Sequence, residues 1–209
     1  MSQLSLEVEV TILAIKIQGI AASDGMGIAK AYLLVTPDLS FKKEAIKDPE
    51  AEIKRLQQAL DVSVKDLEAI KARAKGHLEN KVLTIFDAHI ALLTDPEMIK
   101  QMEQMITAQK VNAEQALKKV TTDFINTLEA MTANQYMQER AADVRDVTQR
   151  VLSHLLGKAL PDLAAINCPV ILVAHEITPS DISQMNQQYI KGIITDLGGR
   201  TSHSAIMSR

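Results

Sequence analysis

The stretch GGRTSHSAIMSR, which begins at residue 198, gathers anion-binding groups around one histidine, His203. Its two glycines let a backbone approach a ligand closely, and its first arginine offers a planar cationic donor set that suits phosphate oxygens. Two hydroxyl groups stand directly before the histidine. The candidate site therefore consists of Gly198, Gly199, Arg200, Thr201, Ser202 and His203. These residue types predict an anion held beside an imidazole.

A neutral imidazole is a nucleophile, because an ordinary pKa of about 6.5 leaves a free nitrogen lone pair at cellular pH. The residues from Ser202 onward resemble a helix start, whose unpaired N–H groups and dipole attract negative charge. Phosphoryl transfer asks mainly for positioning and charge stabilisation. We therefore expect His203 to become phosphorylated, with Arg200, Thr201 and Ser202 as catalytic neighbours and the two glycines cradling the phosphate.

Two other interpretations of His203 stay open at this stage. The histidine could simply cap a helix while the glycines form a turn, because short motifs often match by chance. Zinc is a weaker alternative, because no second histidine or cysteine stands at ligand spacing, and we expect no metal site. The other histidines are scattered singly: His77, His89, His154 and His175.

Strands are predicted on both sides of a long helical stretch. VILVA over 170–174 and GIIT over 192–195 are short apolar runs rich in β-branched residues. Near the start, IQGIAAS over 17–23 and AKAYLLV over 29–35 would add strands to the same layer, and residues 4–12 alternate like a half-buried strand. A parallel pair with a connecting helix places ligands at the carboxyl ends of its strands, where His203 follows the last run.

The middle of the chain has few residues that break helices. Gly76 and Gly157 are the only glycines between residues 28 and 191, and no proline occurs from 97 to 160. One apolar stripe recurs at helical spacing after the start signal Asp48–Pro49: Ile53, Leu56, Leu60, Val64, Leu67 and Ile70. Further helices are predicted over 77–93, 96–108, 112–132 and 134–156.

Three local signals fix the ends of the predicted helices. Asp95 stands where a helix N-cap is needed, directly before a proline. Thr178 can cap the helix that follows VILVA, with Asp181 at the capping-box position. Gly157 is placed to stop the helix predicted over 134–156. The fold class is therefore an α/β unit, built from both ends of the chain, with an all-α insertion.

Composition excludes several classes of protein. The 209 residues carry a net charge of −3 with both signs interspersed, which gives no footprint for nucleic acid or anionic lipid. No run of 18 apolar residues occurs, and the N-terminal run lacks the basic start of a secretory signal. The single cysteine, Cys168, excludes an internal disulfide and fits a reducing compartment. We expect a cytoplasmic protein that binds neither nucleic acid nor membranes.

GGRTSHSAIMSR resembles the phosphohistidine signature of enzyme I of the bacterial phosphotransferase system, the phosphoenolpyruvate–protein phosphotransferase. Four further stretches resemble the N-terminal region of that family in the same order: 19–34, 85–98, 136–157 and 170–186. Pyruvate phosphate dikinase and phosphoenolpyruvate synthase carry a similar histidine element but lack the helical segment around FDAHIALL. The resemblance runs from about residue 17 onward.

The resemblance implies a domain organisation and a function. Residues 17–45 and 158–209 would form a phosphohistidine α/β subdomain, incomplete at its C-terminus, and 46–157 an inserted helical subdomain that binds the phosphocarrier protein HPr. Residues 1–16 match nothing in the family. A phosphotransferase would move phosphoryl groups from phosphoenolpyruvate to Nε2 of His203 and then to HPr, in sugar transport. The alternative is a catalytically inactive truncated remnant that binds HPr or has no activity.

The resemblance also assigns docking residues for HPr. They are His89, Leu92, Asp95, Glu97, Tyr136 and Arg140. Taken alone, His89 and Leu92 could equally be packing residues, and Arg140 a solvated charge on a helix face.

Four positions depart from the family pattern. Ile182 stands where the family has a threonine whose hydroxyl partners the active histidine, so Ser183 or Thr201 would have to substitute for it. Ala91 replaces a larger apolar docking residue, and Asn80 and Lys81 replace acidic ones.

The family's C-terminal barrel, which binds phosphoenolpyruvate and Mg²⁺ and carries the dimer contact, has no counterpart in these residues. We therefore expect a monomer that needs no cofactor of its own and does not autophosphorylate.

Overall fold

A computed structural model describes residues 19–74, 80–131, 135–186 and 188–197. These residues form a helical unit and a smaller α/β unit, and the predicted fold class is confirmed. The predicted strand over 4–12, the predicted helix from Ser202 and the whole candidate site from Gly198 to His203 lie outside the described residues. The exact domain boundaries stay predictions.

The helical unit contains the helices that the apolar periodicity predicts. In chain order they are α1 Pro49–Ala74, α2 Asn80–Leu93, α3 Pro96–Gln109, α4 Ala113–Ala130 and α5 Gln135–Leu156. Their described ends agree with the predicted ones within three residues. A Gly/Pro-poor sequence with regular apolar spacing therefore determines these elements locally.

The predicted cap residues end these helices as expected. Asp48 Oδ1 accepts from the N–H groups of Glu50 and Ala51, and Asp95 caps α3 in the same way. Gly157 has a φ of 64° and follows α5 directly. Its N–H and the next one donate back to carbonyl groups of α5 at 3.2 and 2.8 Å, which is the Schellman pattern.

The core of the helical unit is continuous. The predicted stripe on α1 faces it, with Leu56 and Leu67 fully buried and Ile53 and Val64 packed at its edge. Phe86 of α2 and Ile106 of α3 are also fully buried in this core. Several helices thus share one apolar layer, which is why the unit is held by packing rather than by helix propensity.

An ionic cluster ties three helices together beside this core. The guanidinium of Arg55 in α1 donates to both carboxylate oxygens of Glu114 in α4 at 2.8 and 2.7 Å, and to Leu155 O in α5 at 3.1 Å. Burial alone would raise the pKa of Glu52, but hydrogen bonds from Arg55 and the Ala113 N–H hold it below its usual range. These charges therefore stay paired at neutral pH.

The α/β unit has a three-stranded parallel sheet in the order β1-β2-β3. The strands are β1 Lys30–Leu34, β2 Val170–Ala174 and β3 Ile190–Thr195, and helix α6, Pro179–Gln184, connects the last two. A one-turn 3₁₀ helix, Leu163–Ala165, precedes β2. The predictions for 29–35, 170–174 and 192–195 are confirmed.

The strand predicted over 17–23 is wrong for the residues that the structure describes. Residues 19–24 form no strand, and Ile20 is 80 % exposed. Glycines flank this segment at Gly19 and Gly25, and the latter has a φ of 126°. A strand here would lose glycine backbone entropy without burying an apolar side chain.

The two faces of the sheet differ. On one face Leu34, Leu172 and Ala174 are buried against Leu163 and Met185. The opposite face carries the row Leu33, Val173 and Ile194, in which Leu33 is 67 % and Ile194 56 % exposed. The sheet is therefore packed mainly on one side within the described part of the chain.

None of the described helices is both long enough and apolar enough to cross a membrane.

Candidate functional site

A cleft of about 640 Å³ lies between the helical unit and the carboxyl ends of the parallel strands. Residues from α1, α5, the segment 157–162, the end of β1 and the loop after β2 line it. In parallel α/β sheets ligands bind at this edge. The cleft is therefore where the topology places a site.

Hydrogen bonds hold the end of β3 beside the end of β2. The N–H of Asp196 donates to Ala174 O at 3.2 Å, and the N–H of Leu197 donates to His175 O at 3.0 Å. The side chains of His175 and Asp196 lie 3.1 Å apart, from Nδ1 to Oδ2. Gly198, the first residue of the candidate site, follows Leu197 directly, so the backbone before the motif is fixed at the sheet edge.

Helix α6 lies against the same cleft. Its predicted capping box is present, because Thr178 Oγ1 accepts from the Asp181 N–H at 3.1 Å and Asp181 Oδ2 accepts from the Thr178 N–H at 2.9 Å. Burial raises the pKa of Asp181 above its usual range; the Thr178 N–H opposes this effect, and the negative charge of Asp146 adds to it. The hydrogen bond from Thr178 thus stabilises the charged carboxylate of Asp181, whereas its burial destabilises that charged form.

Ile182 of α6 is half-buried and packs against the apolar cluster behind the sheet. At the position where the family has a threonine, this chain therefore makes an apolar contact. An isoleucine side chain offers no hydrogen bond to an imidazole. The other two candidates for that hydroxyl, Ser183 and Thr201, have side chains outside the description.

Charged side chains on the helical wall of the cleft are paired with one another. His154 Nε2 lies 2.8 Å from Asp66 Oδ2, and Arg150 Nη1 lies 3.9 Å from the same oxygen. Arg73 Nη1 lies 3.6 Å from Asp162 Oδ2. The wall therefore holds two arginines, Arg73 and Arg150, that lie beside carboxylates, and an anion bound there would have to compete with those carboxylates.

The residues predicted to dock HPr fall into different environments. His89 is 1 % exposed, Leu92 is half-buried between two apolar clusters, and Asp95 spends one carboxylate oxygen on the cap of α3. Glu97 is exposed and accepts from Gln101 at 3.1 Å. Arg140 is one-third exposed, and the Tyr136 side chain lies outside the description. Their docking role stays a prediction.

A charged face on α5 was not predicted from the sequence, apart from its member Arg140. Its members lie three or four residues apart, on one side of the helix: Arg140, Asp143, Asp146, Arg150 and His154. Asp146 and Arg150 are both buried, and His89 lies between Asp143 and Asp146. The spacing itself was the available signal, but a charged stripe on one helix is usually solvated, and its burial depends on partners from elsewhere in the chain.

Among the described residues no group of three or more histidine, cysteine, aspartate or glutamate side chains is arranged to hold a metal ion.

Two family models match this chain, one over its N-terminal part and one over its C-terminal part. The model for PEP-utilising enzyme, N-terminal, matches residues 18–140, and that for PEP-utilising enzyme, mobile domain, matches residues 166–209. The chain belongs to the family of PEP-utilising enzymes.

Similar proteins narrow this assignment. The chain is 55 % identical over 193 residues to a phosphoenolpyruvate-protein phosphotransferase of Enterococcus faecalis, which covers 92 % of the chain and 34 % of that relative. Identity to the protein of the same name from Latilactobacillus sakei is 56 % over 194 residues, covering 93 % and 34 %. The chain thus spans about a third of the length of these relatives.

Solved structures agree with the fold. A solution structure of Enzyme I superimposes with a TM-score of 0.83 at 37 % identity, covering 91 % of this chain and 77 % of that one. The N-terminal domain of a nitrogen Enzyme 1 gives a TM-score of 0.64 at 27 % identity, covering 91 % and 78 %. The predicted resemblance to enzyme I is confirmed.

Proposed function

We propose that this chain is a phosphoryl-transfer module of the cytoplasmic sugar phosphotransferase system, with His203 as the residue that carries the phosphoryl group. The observation that carries the proposal is the position of GGRTSHS, which begins three residues after the end of β3 in a chain 55 % identical to a phosphoenolpyruvate-protein phosphotransferase. Phosphoenolpyruvate as the original donor comes from the name of these relatives and is part of the proposal.

The chemistry follows from the residue types. The lone pair of His203 Nε2 forms a bond to the phosphorus atom of a phosphorylated HPr histidine, while the P–N bond of that donor breaks and its electron pair returns to the HPr imidazole. The same step in reverse charges HPr. Arg200, Thr201 and Ser202 would bind the phosphoryl oxygens as they gain negative charge, because cationic and hydroxyl donors are worth most where charge develops.

The helical unit is proposed to dock HPr. Glu97 and Arg140 support this part best, because their side chains reach solvent on α3 and α5. His89, Leu92 and Asp95 are proposed as the residues that shape this surface, since packing and capping already use their side chains. Tyr136 is retained as a docking residue from the resemblance.

A second candidate function is a module that binds HPr without exchanging phosphoryl groups. The contact that favours it is Ile182, whose side chain packs into the apolar cluster where a hydroxyl would be needed to orient the imidazole. If the imidazole of His203 is held in the wrong tautomer or rotamer, the chain still binds HPr through its helical unit, but Nε2 presents no lone pair to the phosphorus atom.

Phosphoryl exchange with labelled HPr separates these functions. The purified chain is mixed with ³²P-phosphorylated HPr, and label on the chain is measured after brief acid and after base, because phosphohistidine is labile to acid. The first function predicts acid-labile label that disappears in H203A. Label that persists in H203A, or none on the wild type, would contradict it.

Two further variants make the outcome specific. I182T restores the hydroxyl at the family position, so a gain of exchange in I182T over an inactive wild type would establish the second function for the natural chain. Pull-down of HPr by wild type, R140A and Y136A tests docking without chemistry. R145A is the matched control, because Arg145 lies on α5 as well but pairs with Glu129 on an exposed surface.

A further inference from the structure

The polar contacts around His89 connect a deeply buried imidazole with the surface of α5. His89 Nε2 lies 3.1 Å from Asp143 Oδ1, and His89 Nδ1 lies 3.8 Å from Asp146 Oδ2. The imidazole is thus hydrogen-bonded to Asp143 and lies beside Asp146, which belongs to the same helix α5. Because His89 belongs to α2, the contact also fixes α2 against α5.

The second oxygen of Asp143 faces the other way, toward Arg140. Asp143 Oδ2 lies 3.7 Å from Arg140 Nη1, one helical turn earlier on α5. The carboxylate of Asp143 is 16 % exposed, and the guanidinium of Arg140 is 33 % exposed. Asp143 therefore joins a buried, packed histidine on one side to a cation that reaches solvent on the other.

We infer that Asp143 is a positioning residue for docking: its carboxylate, itself held by His89, fixes the guanidinium of Arg140 in the orientation that receives HPr. This inference rests on the proposed docking role of Arg140. In this inference Asp143 does not itself contact HPr. The buried His89 holds the carboxylate of Asp143 in place by a hydrogen bond.

The physical reason is the freedom of a long cationic side chain. An arginine on a helix surface loses rotamer entropy when a partner immobilises it, and a fixed neighbour reduces that loss before binding begins. A carboxylate on a free side chain would bring its own entropy cost. Asp143 avoids most of this cost because its other oxygen is already engaged by His89 in the interior.

The test is a double-mutant cycle on the affinity of the full chain for purified HPr, measured by isothermal titration calorimetry. The variants are R140A, D143N and R140A/D143N, and thermal melts report the fold of each. If Asp143 acts through Arg140, D143N alone weakens HPr binding by about fivefold, and adding D143N to R140A changes the affinity by less than twofold. R145A is again the control and leaves binding unchanged.

Each other outcome overturns a specific statement. If R140A itself binds HPr normally, the docking proposal fails. If R140A binds weakly but D143N binds like the wild type, only the positioning inference fails, and the same is true if the two effects multiply fully. If D143N melts well below the wild type, D143E is used in its place, because it keeps the carboxylate but displaces it by one methylene group. The inference then requires that D143E weakens HPr binding only when Arg140 is present.

A kinetic readout separates positioning from a general structural loss. In exchange with phosphorylated HPr, D143N should raise the KM for HPr about fivefold and leave the rate within the saturated complex within twofold of the wild type. A fall in that rate with an unchanged KM would place Asp143 in the chemistry instead and overturn the inference.

Discussion

The helical unit and the parallel sheet differ in how completely they bury their apolar side chains. The helices enclose one continuous core, in which Leu56, Phe86 and Ile106 are completely buried. The sheet buries Leu172 on one face, while Ile194 on the other is 56 % exposed. The difference teaches that the described helices supply their own stability, whereas the described sheet depends on a single apolar layer.

Charge is distributed just as unequally. In the helical unit Arg55 and Glu114 form a two-point ion pair with Glu114 almost fully buried. At the sheet edge the contact between His175 and Asp196 is largely exposed, with both side chains at least 70 % accessible. The candidate site therefore begins just after an exposed side-chain contact, although hydrogen bonds of Asp196 and Leu197 hold the backbone of the strand end.

The largest expected effect comes from the helical core. F86A should lower the free energy of unfolding by about 4 kcal/mol, because it removes a fully buried ring and leaves a cavity. Chemical denaturation followed by circular dichroism measures the loss. V62A, on the exposed side of α1, is the control and should change stability by less than about 0.5 kcal/mol. A cost below about 1 kcal/mol for F86A would show that the core is loosely packed.

The ionic cluster should come second. E114Q keeps the size of the side chain but removes one charge of the pair with Arg55, and we expect a loss of about 2 kcal/mol. E129Q on the same helix removes the partner of Arg145 in an exposed pair, so it should cost less than about 0.5 kcal/mol. Equal effects of the two substitutions would mean that burial adds nothing to the cluster.

The contrast between the units also explains what could be predicted from the sequence. Helices α1 to α5 follow from a regular apolar stripe and from caps such as Asp95 and Gly157, all of which are local signals. The failure at residues 19–23 has a tertiary cause, because an apolar run becomes a strand only where neighbouring strands bury it. Gly19 makes that run a weaker strand candidate, but its apolar residues alone do not distinguish it from residues 30–34, which do pair with β2.

The candidate site, too, could be predicted only where local sequence signals exist. Residue chemistry and resemblance identify His203 and its neighbours, because a nucleophile beside anion-binding groups can be recognised along the chain. The contacts of Asp143 with His89 and Arg140 join residues far apart in the sequence. No local pattern reveals that His89 of α2 packs against Asp143 of α5, so these contacts could be found only in the structure.

A smaller effect, with a definite pH dependence, is expected at Asp181. Its raised pKa means that the folded state binds the proton more tightly than the unfolded state, so the penalty is full at pH 7 and fades as pH falls toward about 4. D181N keeps an oxygen for the Thr178 N–H and removes the charge. It should therefore raise the Tm by roughly 2–4 °C at pH 7, and this gain should disappear near pH 4.

The control for this prediction is D61N, at an exposed position of α1, whose Tm at pH 7 should match that of the wild type. A lower Tm for D181N at pH 7 would show that the carboxylate stabilises the start of α6 by more than its burial costs. In that case the cleft side of the α/β unit would resemble the helical unit, with a charged group contributing firmly to the fold.

The smallest effect should come from the exposed face of the sheet, and it tests the comparison most directly. I194T keeps a β-branched side chain on the side that the described chain leaves open, so it should cost less than about 0.5 kcal/mol. L172A, on the packed face of the adjacent strand, should cost about 3 kcal/mol. Hydrogen exchange of β2 and β3 measures both. If I194T costs as much as L172A, the second face is covered in solution, and the sheet is packed on both sides like other parallel sheets.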